Sequence, residues 1–125
     1  HPRAAGAFSR TIAVYVREKK LLTLMEALEK MTIMPARRLE AAATSMKKKG
    51  RISVGADADI VIFDPEKIKD NATVAMPARF SSGIACVIVG GQVVKDLSGL
   101  KKDVRPGRAV RSAIGAPRPA QRERP

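Results

Sequence analysis

Gly50-Arg51-Ile52-Ser53-Val54-Gly55-Ala56-Asp57-Ala58-Asp59-Ile60-Val61-Ile62-Phe63-Asp64-Pro65 is a polar, glycine-punctuated turn running straight into a dense β-branched strand. Ile60 to Phe63 are apolar without alternation, so both faces of that strand require cover. Downstream, Ile84-Ala85-Cys86-Val87-Ile88-Val89 and Gln92-Val93-Val94-Lys95 flank Gly90-Gly91, a two-residue hairpin turn whose glycines accept positive φ without a Cβ penalty. Two weaker strands are predicted at Ile52–Val54 and Thr73–Ala75, and Asp64-Pro65-Glu66 closes the strongest strand with a turn.

Upstream of Gly50 the apolar period is helical. Phe8, Ile12, Tyr15 and Val16 predict one amphipathic helix from Ala5 to Lys20. Thr23 and Glu26 have capping-box spacing, and Leu24, Ala27, Leu28 and Met31 form the stripe of a second helix. Pro35 suits the first turn of a third, which Leu39, Ala42, Ala43 and Met46 extend to Lys47-Lys48-Lys49, with Gly50 as its stop. Helices therefore precede strands, and three helices with four or five strands do not close on each other around the unalternating Ile60 to Phe63.

The 125 residues are enough for one ordinary domain, but with no Trp, one Tyr and three Phe the core must be built from Ala, Val, Ile, Leu and Met. The net charge of +12 is unevenly spread: residues 101–125 hold eight Lys or Arg against two acids, in a Pro- and Arg-rich stretch with no period. Such a composition reads as a solvated, disordered basic tail, and the lack of aromatics interleaved with Lys47-Lys48-Lys49-Gly50-Arg51 argues against a nucleic-acid surface. No apolar run approaches the roughly 18–20 residues of a membrane span, so no membrane partner is expected. Cys86 is a single cysteine in an apolar strand, which points to an inert thiol and a cytoplasmic setting. Beginning on His rather than Met, the chain reads as a cut or truncated product or a portion of a longer protein.

His1-Pro2-Arg3, Gly6, Phe8 and Arg10 follow the order His-Pro-Arg-x-x-Gly-x-Phe-x-Arg. With Val16-Arg17-Glu18, Pro35-Ala36-Arg37-Arg38-Leu39, the Ala58 to Asp64 strand, the Val87 to Val94 hairpin and Pro106-Gly107-Arg108, this resembles the C-terminal portion of N-acyl-D-amino-acid deacylases (D-aminoacylases), amidohydrolase-superfamily enzymes. The resemblance implies an α+β fragment. Residues 1–49 would be closing helices of a (β/α)8 barrel, residues 50–100 the C-terminal strands of an amidohydrolase β-sandwich, and residues 101–125 the basic tail. It also implies that Arg3 binds the carboxylate of an N-acyl-D-amino acid, a task suited to a planar, permanently charged guanidinium. Zinc would belong to the intact parent and not to this chain, whose single His cannot supply a ligand set, so the chain alone should be inactive. Its partner would be the missing N-terminal barrel portion or a companion chain, and the parent's substrate a small N-acyl-D-amino acid. Ala5, Ala7 and Ala42 to Met46 depart from the family pattern, leaving substrate preference open.

The remaining candidates have blander readings. A free N-terminal His1 could chelate copper, but a second His is absent. Asp57, Asp59 and Asp64 could be taken for a hard-cation cluster, yet they read better as turn and strand-end acceptors of backbone N–H groups. Two further functional classes stay open: a stand-alone, non-catalytic interaction module derived from an amidohydrolase, and a basic nucleic-acid-binding protein.

Overall fold

The computed structural model describes His1 and residues 3–112, with the Arg3 side chain outside the described set. Three α-helices, α1 (Arg3–Arg10), α2 (Leu24–Met31) and α3 (Ile33–Leu39), precede strands β1 (Ile60–Phe63), β2 (Ile84–Val89), β3 (Gln92–Asp96) and β4 (Gly99–Leu100). The strands form one antiparallel sheet in the order β1-β2-β3-β4.

The first expected helix is continuous in space but changes winding. After Arg10 it runs as a π-helix over Thr11–Glu18, ending with the Lys19 N–H donating to the Val14 carbonyl. Thr11 Oγ1 bonds back to the Ala7 carbonyl at the transition, in a stretch whose β-branched Thr11, Ile12, Val14 and Val16 have slightly lowered helix propensity. Helix α2 starts as its sequence dictates: Thr23 accepts from the Glu26 N–H, while Glu26 accepts from the Thr23 N–H and hydroxyl. The third helix is shorter than its apolar spacing predicts. It stops at Leu39, and a short 3₁₀ helix follows at Thr44–Lys48, because Ala42 and Ala43 both donate back to the Leu39 carbonyl and close a turn. Gly50 ends the run at φ 68°.

Two expected strands are absent. Ile52 and Val54 are exposed, and the Ala56 N–H donates to the Ser53 carbonyl in a turn, with no neighbouring strand to pair. Thr73 and Met76 exchange backbone hydrogen bonds in a tight turn in place of the strand expected at Thr73–Ala75. The hairpin is as expected, Gly90 and Gly91 sitting at φ 53° and 81°. The expected tail begins in contact: the Lys101 N–H donates to the Val94 carbonyl and its ammonium pairs with Asp96. Residues 113–125 lie outside the described residues.

Among the described residues the buried side chains are Ser9, Ile12, Ala13, Ala27, Ala36, Ala43 and Ile68, none larger than isoleucine. The sheet contributes none of them. By register, Val61 and Val87 share one face, and Ile60, Ile62, Cys86, Ile88 and Val93 the other. Val61 and Ile62, on opposite faces, are each 51 % exposed. Cys86 is accordingly half-buried rather than core.

Candidate functional site

Two contacts hold the helical run over residues 3–18 against the strand region, one a pair of hydrogen bonds and the other a close steric approach. At its C-terminal end, Arg17 Nη1 donates to the carbonyls of Pro65 (2.7 Å) and Ile68 (3.0 Å), both on the turn that closes β1. That turn is shaped by Asp64, whose Oδ1 accepts from the Glu66 N–H at 2.9 Å and whose carbonyl accepts from Lys67 and Ile68. The Glu66 amide, then Lys67, hold the Asp64 carboxyl below its ordinary range. Ile68 is buried, and Gly83, at φ 80°, lies directly against its backbone.

At the N-terminal end the contact is the close approach of Asp70. Its loop is closed at the base by paired hydrogen bonds between Lys69 and Ser82, and by Asn71 Nδ2 donating to the Phe80 carbonyl. Asp70 Oδ1 accepts from the Ala72 N–H at 2.8 Å, and the carboxylate lies over Gly6 of α1, where any Cβ would overlap it. Between the two contacts lies an apolar cleft of about 740 Å³, bounded by Phe8, Ile12, Leu28, Val61, Phe63 and Phe80. Phe8 is 68 % exposed.

Arg3, the expected substrate contact, sits at the start of α1, three residues before Gly6. The connection between β1 and β2 brings Asp70 to this turn, a residue that the sequence does not single out. The signal was Gly6, since a glycine inside a helix costs about 1 kcal/mol relative to alanine and needs a steric reason.

Asp57 and Asp59 flank Lys49. Asp59 Oδ1 also accepts from the Gly90 N–H at 2.8 Å, so the cluster joins the end of the helical segment to the hairpin turn. The Lys49 ammonium, then the Gly90 amide, hold the Asp59 carboxyl low, and Asp59, then Asp57, push Lys49 up. Arg51 pairs with Glu40 in the same region. These acids serve the backbone and neighbouring cations, and no three His, Cys, Asp or Glu converge on a metal position among the described residues. The donor set does not fit a zinc site, and no step through a metal is assigned to this chain.

Asp96 at the β3–β4 turn is held at about 2, against an ordinary 3.8, by the Lys101 ammonium and the Ser98 hydroxyl. Its folded value lies below the unfolded one, so its stabilisation is complete above about pH 4 and lost as pH falls from 3.8 towards 2. Asp96→Asn should therefore flatten the acid limb of a thermal-melting profile in that window; parallel profiles for the two proteins would contradict this. No described helix is long and apolar enough to cross a membrane.

Residues 1–95 match the amidohydrolase family. The chain is 42 % identical over 120 residues to N-acyl-D-glutamate deacylase of Alcaligenes xylosoxydans xylosoxydans, a match covering 94 % of this chain and 23 % of that enzyme. It is 40 % identical over 96 residues to N-acyl-D-aspartate deacylase of the same organism, 77 % of this chain and 18 % of the relative. Among solved structures, D-aminoacylase superposes with a TM-score of 0.78 at 32 % identity, covering 89 % of this chain and 22 % of the other. N-acyl-D-glutamate deacylase of Bordetella bronchiseptica, complexed with zinc and a phosphonate mimic of the tetrahedral intermediate, gives 0.75 at 41 % identity over the same shares. A study of D-aminoacylase concerns its binuclear metal centre. The chain thus spans less than a quarter of the length of these relatives. With a family match over residues 1–95 and an α+β arrangement that superposes on D-aminoacylase, the chain belongs to the amidohydrolase family.

Proposed function

We propose that this chain is the C-terminal segment of a metal-dependent deacylase that hydrolyses N-acyl-D-amino acids to a carboxylate and a free D-amino acid, acting in the cytoplasm. The observation that carries this reading is 42 % identity across 94 % of the chain to an N-acyl-D-glutamate deacylase, of which it spans only 23 %. Residues 1–49 close the catalytic barrel, residues 50–100 supply sandwich strands, and residues 101–125 form a basic extension. Zinc and its ligands belong to the rest of the enzyme, carried on the same polypeptide or on a companion chain. Within this chain, Arg3 binds the substrate α-carboxylate.

An acidic side chain on the substrate is favoured. The glutamate and aspartate deacylases align at 42 % and 40 % identity, and D-aminoacylase at 37 %. The test grafts residues 1–125 onto the Alcaligenes glutamate deacylase in place of its matching stretch. The chimera should release D-glutamate from N-acyl-D-glutamate in a zinc-dependent manner. Arg3→Ala should raise KM about 100-fold, the scale of losing a charge-assisted bidentate contact. An active chimera whose KM ignores Arg3 would remove that residue from substrate binding, and an inactive, folded chimera would sink the deacylase reading.

A further inference from the structure

We propose that Asp70 is a positioning residue, a carboxylate of the strand region that sets the first turn of α1 and with it the substrate-binding Arg3. The inference rests on the Arg3 assignment above for its consequence, and on geometry for its cause. Gly6 is buried within α1, and a Cβ there would overlap both carboxylate oxygens and Cγ of Asp70. Such an approach is open only to glycine. Helix propensity opposes glycine at this position, so the contact is its steric reason.

Asp70 is itself fixed. The Lys69–Ser82 bridge closes the base of its loop, and its Oδ1 accepts the Ala72 N–H. Apolar packing does not do the same work for the first turn. Ala4 and Ala5 are exposed, Phe8 stands on the rim of the cleft, burial on α1 is confined to Gly6 and Ser9, and the hydrogen-bonded contact of Arg17 acts two helical turns beyond the end of α1. Arg3 precedes Gly6 by three residues, the interval at which helix positions stack one above another. Moving the turn that carries Gly6 therefore moves the turn that carries Arg3.

Two measurements test this. In the 125-residue chain, Asp70→Ala should speed hydrogen exchange at the Ala7–Arg10 amides at least tenfold while leaving Ile84–Val89 unchanged. Asp70→Asn, which keeps the shape and the Ala72 acceptor, should preserve protection. Gly6→Ala should mimic Asp70→Ala, and combining Gly6→Ala with Asp70→Gly should restore protection. In the chimera, Asp70→Ala should raise KM for N-acyl-D-glutamate about tenfold with kcat within twofold, and Asp70→Asn should do neither. Unchanged exchange in α1, exchange rising equally in the sheet, or an unmoved KM would overturn the proposal. A wild-type chimera without activity counts against the deacylase reading, and the exchange result then decides the anchoring alone.

Discussion

Gly83→Ala is expected to cost about 4 kcal/mol of stability. Gly83 lies at φ 80°, where a side chain costs about 1–3 kcal/mol of backbone strain. A Cβ there would also press on the backbone of Lys67 and Ile68, and overpacking of that kind adds about 1–3 kcal/mol. Neither neighbour can yield cheaply. The Gly83 carbonyl accepts from Asp64, and the Ile68 carbonyl is one of the two that hold Arg17, so relaxation would loosen the helix-to-sheet junction. Chemical denaturation of the variant should show a midpoint far below the wild type's. A loss under about 1 kcal/mol would mean that the junction is softer than its geometry implies.

Ile62→Lys is expected to have opposite consequences in two settings. In the isolated chain it should change stability by less than about 1 kcal/mol, because the side chain is half exposed and Lys can place its ammonium in water. In the proposed assembly with the rest of the enzyme the same face would become interior, and an unpaired buried ammonium would cost several kcal/mol, enough to abolish association. Melting temperature of the chain alone and affinity for the N-terminal portion are the paired readouts. A large loss of stability in the isolated chain would show that Ile62 is already core.

Much of the architecture was legible because it rests on local rules. The Thr23–Glu26 capping box, the Gly90-Gly91 turn and the unalternating Ile60 to Phe63 each pointed to what is found. The errors came where tertiary surroundings decide. Ile52 and Val54 have strand-like composition but no neighbouring strand, so the backbone turns at Ser53–Ala56 instead. Leu39, Ala42, Ala43 and Met46 keep helical spacing across a break that spacing alone cannot reveal. The π winding of Thr11–Glu18 follows no period read from apolar positions. Of the candidate site, Arg3 was singled out by its motif, but the helix was expected to begin only at Ala5, and α1 starts at Arg3 itself. Asp70 was not singled out, since its approach to Gly6 joins residues far apart in sequence.

Whether this chain completes a larger deacylase is read out by native mass spectrometry. The 13.5 kDa chain would be mixed with the N-terminal portion of the Alcaligenes glutamate deacylase in the presence of zinc, with metal content read on the same sample. A one-to-one complex carrying zinc is expected, with no metal on the small chain alone. A folded 13.5 kDa chain that stays monomeric beside a folded partner would contradict it.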